Sequence, residues 1–243
     1  MQPHSNLLVL GVGYVGQTLL AGQMDSFGTR RPGKPMGRRL VAFDLGDERT
    51  WRNIDPKGCD VVWTFPAVPL ERVKHFFSAR LGGSRSVTVL GSTSAYLTSQ
   101  PDAEVHEETP LDLTQPRVAG EEWLRGQGAT VLQLAGIFGP DREPVAWLRK
   151  GLIHNGAKRV NLVHVDDIAA AVATLLQKPP SGQRLNVSNG MSPRWNELVS
   201  HYKELGLLHP DFFLAEAEPG PGSRRVSNRR LSTLMPGHVF REP

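Results

Sequence analysis

A single cysteine, Cys59, is all the thiol that this chain of 243 residues carries. One thiol closes no internal disulfide and supplies no cysteine-based metal cluster, and so sparse a count suits a reducing compartment, with the cytoplasm as the expected location. No spacing of His, Cys, Asp and Glu suggests a metal site. Gly-x-Ser-x-Gly, the turn that carries the nucleophile of many serine hydrolases, is absent. Excess charge is scarce as well: 28 Lys and Arg against 24 Asp and Glu leave a formal +4, spread along the chain. That is too modest to argue for nucleic acid as the main partner, and a small anionic molecule would suit it equally well. The apolar start "NLLVLGVGYVG" lacks a basic leader and is broken by three glycines, so neither a signal peptide nor a membrane span is expected. There is no internal repeat.

What is present points to an α/β protein. Hydrophobic residues make up 39% of the chain, enough for one large core or two small ones, and one domain with an appended lobe is the expectation. Short β-rich runs (Leu7 to Leu10, Leu40 to Phe43, Val61 to Thr64, Val87 to Leu90, Thr130 to Leu134, Arg184 to Val187) alternate with helical patterns, as in a parallel sheet. "LERVKHFFSARL" puts Leu70, Val73, Phe77 and Leu81 on one helical face, and "DDIAAAVATLLQK" runs apolar from Ile168 to Leu176. In "SPRWNELVSHYKELG", Ser192 is expected to cap a helix, Pro193 to sit in its first turn and Gly206 to end it. Arg31 to Gly37 and Glu218 to Gly222 read as loops, and the tail after Pro219 as loosely ordered.

The chemistry starts at Gly11, Gly13 and Gly16, a G-x-G-x-x-G directly after a strand and before a helical pattern. Gly11 permits the tight turn, Gly13 lets a pyrophosphate approach the backbone, and Gly16 lets helix and strand pack closely; Tyr14 and Val15 lie between. The helix N-terminus then faces the phosphates, and a dinucleotide is the natural ligand. The competing readings are a glycine-rich turn without a ligand, or one shaped for the adenosyl group of a methyl donor. Farther on, Arg30 and Arg31 stand at the expected end of the second strand, where an acidic residue would otherwise bind the ribose hydroxyls. Two guanidiniums there favour a 2'-phosphate, and so NADP, with NAD as the alternative. A solvated basic loop is the competing reading, since Lys34, Arg38 and Arg39 follow closely.

With these residues in hand the chain resembles the extended short-chain dehydrogenase/reductase family, which includes nucleotide-sugar epimerases and dehydratases. The likeness rests on "GVGYVG", "GTRR", Asp44-Leu45, "TFPAVP", "VTVLGSTSAY", "LQLAGIFGPDR", "VNLVHVDDIAAAV" and "LNVSNG", in that order, and covers nearly the whole length. It implies a Rossmann-type doubly wound parallel sheet over residues 1–243, with a small C-terminal substrate lobe built mainly from segments of 138–162 and 190–243. It further implies that Asp44 and Leu45 lie near the adenine, that Phe65, Pro66 and Ala67 line the cofactor, and that Gly136 and Ile137 approach the nicotinamide end; read without it, Asp44 could equally be a strand-end cap and "GIFGP" a plain turn.

Family enzymes carry a serine or threonine after the fifth strand, matched here by Ser92, and then Tyr-x-x-x-Lys on the next helix. Counting onward places Arg117 and Glu121 at those two positions. A tyrosine beside a lysine can pass a proton near neutral pH, whereas an arginine cannot. Three readings of the pair follow: a surface ion pair, an anchor for a cofactor or substrate phosphate, or an electrostatic replacement for the tyrosine, with the proton left to Ser92, Tyr96, His106 or water. The anchoring role is the expectation for Arg117 and a structural role for Glu121. His164 has two readings: an acid or base with Asp166 and Asp167 as partners or, as expected, a hydrogen-bonded structural residue with Asp167 capping the helix after it. The functional expectation is an NADP(H)-binding oxidoreductase or epimerase/dehydratase-like enzyme on a small polar substrate, acting as a monomer or homodimer without nucleic acid or membrane. The alternative is a catalytically altered NADP(H)-sensing regulator.

Overall fold

Leu7–Leu10 is apolar at every position rather than alternating, and all four side chains are buried. A strand covered on both faces has this composition, and the strand (β1) sits inside a parallel sheet with a neighbour on each side. The structure, a computed structural model, describes residues 7–22 and 25–243; the expected absence of a leader concerns residues outside these. In chain order the elements after β1 are α1 (Tyr14–Ala21), β2 (Ser26–Arg30), β3 (Leu40–Ala42), β4 (Asp60–Trp63), α2 (Leu70–Phe76), β5 (Ser86–Ser92) and β6 (Ala103–Val105). They continue with α3 (Pro116–Gly126), β7 (Thr130–Leu134), β8 (Gly136–Phe138), α4 (Pro144–Arg149), β9 (Leu162–His164), α5 (Val165–Gln177), β10 (Arg184–Val187), α6 (Trp195–Glu204), β11 (Arg224–Val226) and α7 (Arg229–Leu234).

The main sheet has seven strands in the order β10-β7-β5-β4-β1-β2-β3. The chain moves outward from β1 through β2 to β3, then returns to the other side of β1 as β4. That reversal leaves a crevice beyond the carboxyl ends of β1 and β4, where open α/β sheets bind their ligands. This is the expected Rossmann-type fold. The expected strands match or shift by a residue or a few, as at Asp60–Trp63 and Ser86–Ser92. Between the parallel neighbours β2 and β3 the crossover is only residues 31–39, a loop without a helix.

The helix expected over Leu70 to Leu81 begins as an α-helix and ends in a wider π-helical turn, Phe77–Leu81. The buried stripe is Val73, Phe76 and Leu81, not the evenly spaced set read from the sequence. The extra residue in the wide turn brings Leu81 back to the core side after Phe76 has been buried. Phe76 packs against Phe43, Trp51 and Trp63 at ring-centroid distances of 5.1, 5.1 and 5.7 Å. Burying side chains of this kind contributes about 1.5–3 kcal/mol each.

The chain forms two compact units. One takes the residues up to Ala95, Asp112–Gln133 and Ala169–Leu185; the other takes Tyr96–Leu111, Leu134–Ile168 and Asn186–Pro243. The second has its own core of Phe138, Leu148, Leu162, Trp195, Leu198, Val199, Tyr202 and Leu208. Segments 138–162 and 190–243 both fall in it.

Three local expectations are corrected. Ser192 does not cap α6: the helix starts at Trp195 with Arg194 at its N-cap, and the Ser192 hydroxyl donates to Asn161 Oδ1 at 2.6 Å. Gly206 does follow the helix in a left-handed conformation, φ 69°. Asp167 is not a cap either, because α5 already begins at Val165. Its fully buried carboxylate instead accepts from the Arg241 amide at 2.8 Å and the Arg241 guanidinium at 2.7 Å, with His238 Nε2 at 3.2 Å. The tail after Pro219 is therefore tied down, and within it β11 pairs in parallel with β6. Among the described residues no helix is long and apolar enough to cross a membrane.

Candidate functional site

The turn after β1 is built by its neighbours. Gly11 has φ 92°, a region that L side chains rarely adopt, and a Cβ there would lie 2.6 Å from the Phe65 ring and 2.9 Å from Thr64 Oγ1. Its amide donates to Thr29 Oγ1 at 2.9 Å, and the Thr64 hydroxyl donates to its carbonyl. Thr29 lies one residue before the end of β2 and Thr64 directly follows β4, so the turn is clamped from both flanking strands. A Cβ on Gly16 would lie 2.8 Å from the Gly11 carbonyl oxygen, which fixes how closely α1 approaches the turn. Gly13 differs from both: a Cβ there would meet nothing within 4 Å.

This turn floors a cleft of about 440 Å³ that brings together Gly11, Gly13, Tyr14, Val15 and Gly16 with Arg30, Arg31, Lys34, Asp44, Leu45 and Phe65. The two arginines differ in their partners. Arg30 donates to the Val12 carbonyl at 3.3 Å and the Pro35 carbonyl at 3.1 Å, bracing the glycine turn against the following loop. Arg31 is 77% exposed, and its only acidic neighbour among the described residues is Asp44, at 3.3 Å. Asp44 Oδ1 also accepts from the Gly46 amide at 2.8 Å. Pro66 is exposed, and Ala67 is fully buried against α3, where a Cβ on Gly120 would overlap the Ala67 carbonyl oxygen.

Ser92, Arg117 and Glu121 lie in the same unit as this cleft but outside its lining. The Arg117 guanidinium donates through Nη1 to Glu121 Oε1 and through Nη2 to Ser94 Oγ, each at 2.9 Å. Ser94 Oγ is 3.1 Å from Ser92 Oγ, and the Ser94 amide donates to Ser92 Oγ at 3.3 Å. Glu121 Oε2 accepts from Gln133 Nε2 at 3.3 Å. The ion pair among the sequence readings is formed, but not as an exposed surface pair: the Glu121 side chain is 2% exposed and that of Arg117 22%. Burial pushes the Glu121 carboxyl above the ordinary glutamate range, against the opposing pull of Arg117 and Gln133. Gly91 on β5 provides the room, since a Cβ there would lie 2.7 Å from both Glu121 Oε2 and Gln133 Oε1.

The other proton carriers weighed from the sequence lie in the second unit and have partners of their own. Tyr96 is buried, and its phenol donates to Asn186 Oδ1 at 2.5 Å. His106 is exposed and pairs with Glu108 at 2.8 Å. His164 accepts from the Asp166 amide at 3.2 Å through Nδ1, with its ring edge-on to Phe138. Gly136 and Ile137 form β8 with Phe138, paired to β9 within the second unit. Among the described residues no group of His, Cys, Asp and Glu could hold a metal ion.

A parallel sheet whose strand order reverses at β1, with a clamped glycine turn leading into a helix, defines a Rossmann-type fold. No protein-family model matches the chain. "Protein YeeZ" of Escherichia coli strain K12 is 33% identical over 159 residues, 63% of this chain and 57% of the relative, so the chain spans little more than half the length of the curated relatives it matches. A structure from Methylobacillus flagellatus, assigned to the NAD-dependent epimerase/dehydratases, superposes with a TM-score of 0.78 at 23% identity, covering 97% of this chain and 93% of that one. MoeE5 in complex with UDP-glucuronic acid and NAD gives 0.75 at 20%, covering 98% and 95%. RMD from Pseudomonas aeruginosa complexed with NADPH gives 0.67 at 17%, covering 95% and 92%. The fold is that of the epimerase/dehydratase and short-chain dehydrogenase/reductase proteins, in agreement with the likeness drawn from the motifs.

Proposed function

We propose that the cleft at the carboxyl ends of β1 and β2 binds a nicotinamide dinucleotide, NADP in preference to NAD, and that the chain is an atypical short-chain dehydrogenase/reductase. The observation that carries this reading is the difference among the three glycines. Gly11 and Gly16 are each pressed against protein atoms, which explains them without a ligand, while Gly13 borders open space. Protein packing alone gives no reason for glycine at that position; a pyrophosphate lying against the backbone does. Arg31 and Lys34 at the rim suit a 2'-phosphate, for which Arg31 would leave its exposed pairing with Asp44.

A bound nicotinamide supplies hydride chemistry. The chain's own contribution is then to orient the substrate oxygen, for which Ser92 and Ser94 offer hydroxyls, and to hold negative charge there, for which Arg117 offers a permanent cation. The substrate is a small polar molecule. MoeE5, which shares the fold, is seen with a nucleotide sugar, and that class is the first to try. The buried Arg117–Glu121 pair, at the position where a titratable tyrosine and lysine are expected, favours a second reading: a protein that binds NADP(H) and reports its redox state without turnover.

The test is fluorescence titration of Gly13→Val with NADP, NADPH and NAD. Binding by the parent and a loss of at least about tenfold in the variant, with the melting temperature retained, is the expected result. A parent that binds none of the three, or a variant that binds as the parent does, would overturn the assignment.

A further inference from the structure

The second unit has a pocket of its own, about 410 Å³, that shares no residue with the glycine cleft. It is formed where β11 leads into α7, with Glu104 of β6 and the turn at Gly190 and Ser192, and its charged residues are Arg159, Arg225, Arg229 and Glu104.

The charges around it are unbalanced. Arg159 Nη1 donates to the Ser192 carbonyl at 2.7 Å, while its Nε lies buried without a hydrogen-bond partner, 3.2 Å from Asp102 Oδ2. The same Asp102 oxygen already accepts from Arg194 at 2.5 Å, so one carboxylate serves two guanidiniums. Arg225 and Arg229 are exposed, and neither guanidinium has a partner among the described residues. Arg225 is paired in register with Glu104 on β6, yet the two form no ion pair among the described residues. Four guanidiniums therefore stand against two carboxylates, an excess that matches the charge of a phosphate monoester near neutral pH, roughly −1.5 to −2.

Glu104 decides what else the ligand must carry. A bare anion would be repelled by this carboxylate, which makes no hydrogen bond or ion pair among the described residues. A ligand with hydroxyl groups would donate to it. We infer that this pocket is a second ligand site, taking the phosphate ester of a polyhydroxylated small molecule, with the phosphate on Arg225 and Arg229 and hydroxyl groups on Glu104. Guanidinium forks suit phosphate because they donate parallel, charge-assisted hydrogen bonds. The inference does not depend on what occupies the glycine cleft.

The test is calorimetric titration of the full chain with ribose 5-phosphate and, separately, with inorganic phosphate. Saturable binding of ribose 5-phosphate is expected, with weaker binding of inorganic phosphate. Arg225→Ala with Arg229→Ala should weaken ribose 5-phosphate at least about tenfold through loss of charge-assisted hydrogen bonds. Glu104→Gln should act in opposite directions on the two probes, tightening inorganic phosphate and removing the preference for the sugar ester. Circular dichroism and melting curves check folding, with Arg225→Gln and Arg229→Gln as single replacements if the double variant does not fold. No saturable binding by the parent, or equal binding by the arginine variants, overturns the site. An unchanged preference in Glu104→Gln overturns the assignment of a hydroxylated ligand.

Discussion

Arg117 and Glu121 form a nearly buried ion pair, Nη1 to Oε1 at 2.9 Å, and each partner has a second attachment, Arg117 to Ser94 and Glu121 to Gln133. On an exposed helix an arginine four residues before a glutamate contributes only a few tenths of a kcal/mol. Buried, the pair is far more costly to break. Arg117→Ala and Glu121→Ala are each expected to destabilise the fold by about 3–5 kcal/mol, because each leaves a charge without its partner. Urea unfolding measures this, and a cost below about 1 kcal/mol for both variants would mean that water reaches the pair.

The same glutamate gives a pH dependence of definite sign. Its folded-state pKa lies above the unfolded value because burial disfavours the charged form. The folded protein therefore holds the extra proton, and this contribution to stability is fully present below about pH 4.5 and lost as pH rises through the raised folded value. Glu121→Gln cannot titrate. The stability of the parent relative to this variant should therefore decline as pH rises above about 4.5, and a flat or rising difference would contradict the shift.

Arg30 and Arg31 are adjacent in sequence but should separate in function. Arg31→Ala removes an exposed cation and its pairing with Asp44, and should lower NADP affinity about tenfold with NAD affinity unchanged. Arg30→Ala removes two hydrogen bonds to main-chain carbonyls around the glycine turn, and should weaken both dinucleotides and lower the melting temperature. Parallel titrations with the two cofactors distinguish these outcomes. If both variants lose NADP alone, Arg30 is a phosphate ligand rather than a brace.

Gly120→Ala is expected to destabilise the protein by about 1–3 kcal/mol, since the added methyl would overlap the Ala67 carbonyl oxygen where α3 meets the segment after β4. A melting curve reports it. An unchanged curve would mean that α3 can stand off without cost.

Asp167→Asn should loosen the C-terminal segment and leave the sheet intact, because the carboxylate accepts from the Arg241 amide and guanidinium. Amide exchange should accelerate at Arg241 and its neighbours while remaining slow in β1. Unaltered protection at Arg241 would show that the rest of the tail's packing suffices.

The regions of this molecule that sequence made legible are those whose causes are local. Leu7–Leu10 is apolar at every position because both its faces are covered, and the glycine spacing after it follows from one turn. The clamps on that turn were not legible, since Thr29 and Thr64 arrive from two other strands and are ordinary threonines in isolation. Arg117 and Glu121 were found by counting, but spacing on a helix gives direction and not environment. Their burial depends on Gln133 and on the space above Gly91, both contributed by strands. The three-residue strands β6, β8, β9 and β11 are too short to carry a period. Asp167 looks like a cap in the sequence because nothing near it reveals that its partners come from the tail.

The strand order also bears on how the chain is made. Synthesis delivers β1 first; β2 adds to one side of it and β3 to β2, then β4 to the other side, followed in turn by β5, β7 and β10. Every strand of the main sheet therefore finds a free edge when it is reached in chain order, and no later strand has to wedge between neighbours that are already paired. A chain that grows at about 5–20 residues per second can thus extend this sheet in the order of its own translation, with the waiting edge always the strand most recently made on that flank.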